Sequence, residues 1–280
     1  MPRIELNGAD FNYSIAGPSD GRLIILLHGG RGFGDHRSDF RAYQPLADRD
    51  GHRILGFDFR GHGGSSCSPP YTFVQLVEDI EAFRQHFAGE DKAVIAGGSF
   101  GGYLAQQYAI SYPDKVSHLV LRGTAPSHHH EAEALSTFEA RLHKAPNASI
   151  EMVHKVFSAF EDDEEFRLII FALNPLYVET YNANAGLKKT RDIVFRAETH
   201  NALYSEQEKY FDYRNDLHKV TAKTLIVVGD QDWICPPNQS KIIAEKIQGS
   251  RLLVVPGANH SVQVEKNAEF LEAVRELLKQ

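Results

Sequence analysis

Short, near-continuously apolar runs bounded by glycine recur along the first half of the chain: LIILLHGG from Leu23, HRILGFDFRG from His52, KAVIAGGS from Lys92 and VSHLVLRGT from Val116. A strand with one wet face alternates apolar and polar positions. These runs do not, and their continuity predicts strands of a parallel sheet covered on both faces. Helix-period segments lie between them, FVQLVEDIEAFRQHF from Phe73 and FGGYLAQQYAISY from Phe100, so strands and helices alternate as in βαβ units. The pattern returns near the end with TLIVVGD from Thr224 and RLLVVPG from Arg251, and the amphipathic run from Val264 to Leu278 predicts a closing helix. The fold class expected is therefore α/β, a doubly wound, mostly parallel sheet.

Residues 127–218 break this rhythm. They hold no glycine-bounded valine or isoleucine run but many helix-period, charged and aromatic segments, such as EEFRLIIFALNPLY and RDIVFRAETHNALYSEQEKYF. The reading is a helical cap inserted into a core made of residues 1–126 and 219–280, placed where it could cover the carboxyl ends of the strands. His128, His129 and His130 open this segment; adjacent histidines do not by themselves supply tetrahedral metal geometry, so a polar loop is expected there and no metal.

Composition narrows the partners. With 42% hydrophobic and 24% charged residues in 280, the chain sits in the ordinary globular range. A formal net charge of −7 argues against nucleic acid or an anionic membrane, which need a basic footprint, and leaves open small neutral or cationic substrates, a small molecule or short peptide. The two cysteines, Cys67 and Cys235, make no disulfide framework and no CxxC spacing. No apolar leader and no run of about 18 apolar residues occurs, so a cytoplasmic location is expected.

The candidate chemistry falls at strand ends. Gly97-Gly98-Ser99-Phe100-Gly101 matches the G-x-S-x-G elbow directly after one predicted strand and directly before a predicted helix. Small flanking residues allow the strained turn that lifts a serine Oγ clear of the sheet, while the helix N-terminus aims amides at developing negative charge. His28-Gly29-Gly30-Arg31-Gly32 ends an earlier strand, either as a plain tight turn or as a loop whose Gly30 amide joins that of Phe100 in an oxyanion hole. Asp232 in GDQD and His260 in GANH follow the last two predicted strands and complete the order serine, aspartate, histidine. Ser99 is then nucleophile, His260 general base and Asp232 the acid that orients it. Asp230 competes for that role; Asp232 is preferred because it lies further into the loop. Asp58 and Arg60 in FDFRGHG are assigned to organising a turn.

With HGG, FDFRGHGGSS, GGSFGGYLAQQYA, SYPDKVSHLVLRGTAP, GDQDWICP and ANH in this order, the chain resembles the proline iminopeptidase branch of the α/β-hydrolases. The resemblance implies the α/β-hydrolase fold, a Ser99, His260, Asp232 triad and no metal or organic cofactor. It also implies carboxylates that bind a free amino terminus, for which Glu198 is either the counterpart here or an ordinary helix-surface acid. Two positions depart from the family pattern: Arg31 replaces the proline of HGGPG, and Trp233 stands where an acidic residue is expected. Arg31 either binds a substrate carboxylate or pairs with Asp35 or Asp39. Trp233 either stacks on a cyclic substrate or packs beneath the acid loop. The reaction expected is acyl transfer to water from a small ester, lactone or amide, with carbon–carbon bond hydrolysis, a ligand-binding receptor and a purely structural interaction protein as rivals.

Overall fold

A computed structural model describes residues 2–280. Eight strands form one sheet: β1 (Arg3–Leu6), β2 (Ala9–Ala16), β3 (Leu23–Leu27), β4 (Arg53–Phe57), β5 (Ala93–Gly98), β6 (Val116–Arg122), β7 (Lys223–Gly229) and β8 (Arg251–Val255). Their order is β1-β2-β4-β3-β5-β6-β7-β8; β1 and β2 pair antiparallel, β2 pairs antiparallel with β4, and the rest are parallel. The helices are α1 (Arg37–Asp48), α2 (Phe73–Ala88), α3 (Phe100–Ser111), α4 (His130–Arg141), α5 (Ile150–Val156), α6 (Asp163–Leu173), α7 (Ala183–Asp192), α8 (Ala197–Leu203), α9 (Pro237–Lys246), α10 (Val262–Glu265) and α11 (Asn267–Leu278).

The parallel strands are apolar throughout because both faces are covered. Leu23, Ile25 and Leu27 of β3 point into the layer formed by α2, α3 and α9, whereas Ile24 and Leu26 point into the layer formed by α1 and α11. From β3 the chain runs through α1 to β4 on one side, then crosses through α2 to β5 on the other. The loops after β3 and β5 therefore diverge at a switch point of the sheet, where open α/β sheets form their ligand crevice. HGGRG and the Ser99 elbow are those two loops.

The amino-terminal hairpin was not among the predicted strands. β1 alternates exposed and half-buried positions and β2 is mostly half-buried, so they lack the continuous apolar run that marks the parallel strands. They are joined through Asn7 and Gly8, both at positive φ (49° and 74°), the two-residue Asn-Gly turn that matches strand twist. The closing helix, expected to run unbroken from Val264, is split instead. Lys266 leaves the helical region at φ −131°, ψ 48°, while the Asn267 side chain reaches back to the carbonyls of Gln263 and Ala42.

Residues 130–203 carry five helices, α4 to α8. Three of them open on side-chain caps, Ser149 accepting from Met152 N at 3.4 Å, Asp162 from Glu165 N at 2.8 Å and Asn182 from Ala185 N at 2.9 Å. These helices enclose an apolar cluster of their own, with Phe138, Val153, Phe166, Ile170, Leu173 and Phe195 fully or nearly fully buried.

Candidate active site

Ser99 sits between β5 and α3 at φ 54°, ψ −122°; with Asn7 it is one of the non-glycine residues at positive φ among those described. A backbone of this kind costs about 1–3 kcal/mol and persists only when its surroundings fix it. They do so here. The Ser99 amide donates to Arg122 O at 2.9 Å, and the Ser99 carbonyl accepts from Gly102 N and from Thr124 Oγ1, both at 2.9 Å. The turn also needs bare backbone: a β-carbon on Gly97 would lie 2.2 Å from Gly101 O, and one on Gly101 would lie 2.1 Å from Leu27 O.

The β3 loop lies against the serine. A β-carbon on Gly29 would stand 3.1 Å from Ser99 Cβ and 3.7 Å from its Oγ. Gly30 follows at φ 90°, and Phe100, as the first residue of α3, has no intrahelical acceptor for its amide.

His260 and Asp232 meet at the ends of β8 and β7. Asp232 Oδ2 lies 2.8 Å from His260 Nδ1, and Oδ1 accepts from the amides of Ile234 and Cys235 at 3.1 and 3.0 Å. With Nδ1–H committed to the carboxylate, Nε2 carries the free lone pair, the tautomer a general base requires. Asp230 is exposed, and its carboxylate accepts from Gly257 N at 2.9 Å, tying the two loops together away from the histidine. The Ser99 hydroxyl makes no hydrogen bond among the described residues. Catalytic contacts in unliganded sites commonly close only around substrate.

A guanidinium that the sequence reading passed over ties the serine to the histidine. Arg122 ends β6, is almost fully buried, and donates to His260 O at 3.0 Å and to Asp39 Oδ1 at 3.3 Å. Gln263 Nε2 donates to the same Asp39 oxygen at 2.8 Å. A lone arginine closing a buried strand was the available signal. Asn259 completes the frame: its Oδ1 accepts from His260 N and its Nδ2 donates to Leu176 O and Glu179 Oε1, each at 2.8 Å, so the histidine loop is anchored to the helical segment.

The remaining candidates are dispersed. Trp233 has none of its surface exposed; it packs against Phe138 and Tyr177, and Tyr177 in turn sets its edge on the His260 ring at 5.6 Å between centroids. Trp233 is thus packed beneath the acid loop, inside the apolar cluster of the helical segment. Glu198 is exposed on α8, without a hydrogen bond or ion pair among the described residues. Arg31 is almost fully buried and pairs with neither suggested aspartate: Asp35 binds Arg37 and Asp39 binds Arg122. The turn residues behave as expected. Asp58 accepts from the His36 and Gly64 amides and from His36 Nδ1, and Arg60 makes a buried two-point pair with Asp79 at 2.6 Å.

Two of the three histidines at the start of the helical segment serve its attachment, while His129 is exposed. His128 contacts Phe211 O through Nδ1 at 3.1 Å. Burial pushes His130 down to about 3, so it is neutral; its Nδ1–H donates to Ser127 O and its Nε2 accepts from the Tyr103 hydroxyl at 3.0 Å. Among the described residues no group of three or more His, Cys, Asp or Glu side chains is placed to hold a metal, and no helix is long and apolar enough to cross a membrane.

Comparison with known proteins agrees with this architecture. The family model described as alpha/beta hydrolase fold matches residues 22–267. The chain is 58% identical over 274 residues, 97% of each chain, to a protein of Pestalotiopsis fici named proline iminopeptidase PfmaB. A proline iminopeptidase structure from Mycobacterium smegmatis superposes with a TM-score of 0.76 at 19% identity, covering 99% of this chain and 97% of that one. An esterase from Exiguobacterium antarcticum superposes with a TM-score of 0.75 at 20% identity over 99% of both chains. The chain belongs to the α/β-hydrolase fold family, in its proline iminopeptidase-like branch.

Proposed function

We propose that this protein is a serine hydrolase that transfers the acyl group of a small ester, lactone or amide, or of a short peptide, to water through an acyl-enzyme on Ser99. The observation that carries this is the strained Ser99 backbone, linked through Arg122 to a His260 whose Nδ1 is held by Asp232 at 2.8 Å. In the reaction Ser99 Oγ attacks the substrate carbonyl while His260 Nε2 takes its proton, and Asp232 stabilises the imidazolium that forms. The amides of Gly30 and Phe100 donate to the oxyanion, stabilising the tetrahedral species more than the ground-state carbonyl. His260 then protonates the leaving group, and a water activated by the same histidine releases the acid. Residues 127–218 act as the cap over this site, closing the crevice to water.

Cleavage of an amino-terminal proline is one candidate within this reading, supported by the name of the 58%-identical relative. Glu198, exposed on α8, is its candidate amine-binding carboxylate. The test is a paired panel, p-nitrophenyl esters and lactones beside prolyl and alanyl arylamides, with wild type and Ser99→Ala together. Ser99-dependent turnover in either set supports the hydrolase, and arylamide cleavage that requires a free amine selects the aminopeptidase. Turnover that survives Ser99→Ala contradicts the reading.

A further inference from the structure

One buried charged group beside the elbow is left largely unsatisfied by the fold. Arg31 directly follows Gly30 in the β3 loop and is 4% exposed. Of its three guanidinium nitrogens only Nη1 has a partner, Leu203 O at 3.3 Å; Nε and Nη2 are buried with none among the described residues. Five rings surround the guanidinium carbon: Tyr204 at 4.0 Å, Phe73 at 5.2 Å, Tyr103 at 5.4 Å, Phe211 at 5.5 Å and Phe100 at 5.6 Å. Aromatic faces stabilise the charge of a guanidinium from above and below, but they accept nothing from N–H groups that lie in its plane. Nε–H and the Nη2 hydrogens project from one edge of that plane, side by side, and this is the edge left unused. It is the fork that matches the two oxygens of a carboxylate.

No carboxylate among the described residues takes this edge. Asp35 and Asp39 are engaged by Arg37 and Arg122. Glu131 interacts electrostatically with Arg31, yet no ion pair joins them and Glu131 Oε1 is itself buried without a partner. Burial pushes the Glu131 carboxyl up to about 7, so near neutral pH it only partly offsets the arginine. A buried cation with two idle donors is costly, and the cost is recovered when an anionic ligand enters. The box is also joined to the reaction centre: Phe100 supplies one of its rings and, through its amide, one arm of the oxyanion hole.

We propose that Arg31 is a specificity residue that binds a carboxylate borne by the substrate, so that the preferred substrates are acyl compounds carrying a free carboxylate rather than a cationic amine. The proposal rests on the serine-hydrolase reading for where the acyl carbon sits. The Nε–Nη2 edge takes the two carboxylate oxygens, the rings exclude water from the pair, and a protonated amino terminus in the same place is repelled.

The test compares mono-p-nitrophenyl succinate and glutarate with the neutral near-isosteres p-nitrophenyl 4-methylpentanoate and 5-methylhexanoate. Wild type is expected to favour at least one hemi-ester in kcat/KM, and Arg31→Met to reduce the ratio of hemi-ester to isostere by about 10- to 100-fold, the range for losing a charge-assisted two-point contact. Arg31→Lys, which keeps the charge and loses the fork, is expected to recover only part of that ratio. Calorimetric binding of the hemi-esters to Ser99→Ala, with and without Arg31→Met, separates this proposal from the mechanism. Arg31-dependent binding supports the carboxylate site whichever nucleophile acts. Ser99-dependent ester turnover with no hemi-ester preference, or a preference that Arg31→Met leaves intact, overturns it, as does equal binding by both Ser99→Ala backgrounds.

Discussion

The Arg122 guanidinium lies directly against Gly98, so close that a β-carbon on the glycine would sit 1.8 Å from Nη2. That contact sets the residue before the nucleophile on the side chain that holds the histidine loop, because Arg122 Nη1 donates to His260 O. Gly98→Ala must push the guanidinium away from both His260 O and Asp39. It is expected to destabilise the fold by about 1–3 kcal/mol, as overpacking a filled core does. An unchanged midpoint in a denaturant titration would show that Arg122 is free to move aside.

The two loop aspartates should separate cleanly. Asp232 spends one oxygen on His260 and the other on two amides, whereas Asp230 serves only the Gly257 amide. Asp232→Asn presents an N–H or an ill-placed oxygen to Nδ1 and is expected to lower kcat by about 10³- to 10⁴-fold, the loss seen when the histidine adopts the wrong tautomer. Asp230→Asn is expected to leave kcat within about threefold, as substitutions of exposed loop residues outside the catalytic contact usually do. Similar losses in the two variants, measured on the same substrate, would reassign the acid.

His118 gives a pH-dependent stability prediction. It is buried on β6 with neither ring nitrogen bonded among the described residues, and burial, with Arg22 and Lys223 nearby, pushes it down to about 4. Between that value and the ordinary histidine value of 6.5 the unfolded chain binds a proton that the folded chain refuses. The sign follows: stability rises with pH across this window and is lost as pH falls from 6.5 toward 4. His118→Phe removes both the refused proton and the unsatisfied ring nitrogens. It is expected to raise stability by about 1–3 kcal/mol, with a larger gain at pH about 4.5 than at pH 7 because the linkage disappears. Denaturant titrations at both pH values check this; an equal or negative effect would contradict it.

Trp233 joins the acid loop to the helical segment. Replacing it with alanine opens a cavity among Phe138, Tyr177 and their neighbours and is expected to cost about 3–5 kcal/mol, the range for burying an aromatic and then deleting it. Because its partners lie in that segment, hydrogen exchange should accelerate first in α4 and in the turn around Tyr177, before the central strands. Uniform acceleration across β5 and β6 would place the tryptophan in the main core instead.

The parallel strands and the Ser99 elbow were legible in the sequence because burial on both faces writes an unbroken apolar run and glycine marks where it stops. The β1–β2 hairpin was not, since alternation over so few residues is a weak pattern, although Asn7-Gly8 marked its turn. The order Ser99, Asp232, His260 was readable from strand ends alone. The supporting frame was not: Arg122, Asp39 and Gln263 are far apart in the chain and become neighbours only when β6, α1 and α10 pack together. Trp233 and Arg31 each carried two readings because a large or charged residue in a loop can face substrate or core. Packing decides the first in favour of the core. The second is a buried side chain with an unused binding edge, which sequence spacing does not encode.

The most direct measurement of the central claim is covalent: incubate the protein with a fluorophosphonate, determine the intact mass, and map the modified peptide. One adduct is expected, on the Ser99 peptide, formed quickly by wild type and absent from Ser99→Ala, with His260→Gln slowing it strongly. Labelling at another residue, or no labelling of a folded wild-type protein, would contradict Ser99 as an activated nucleophile.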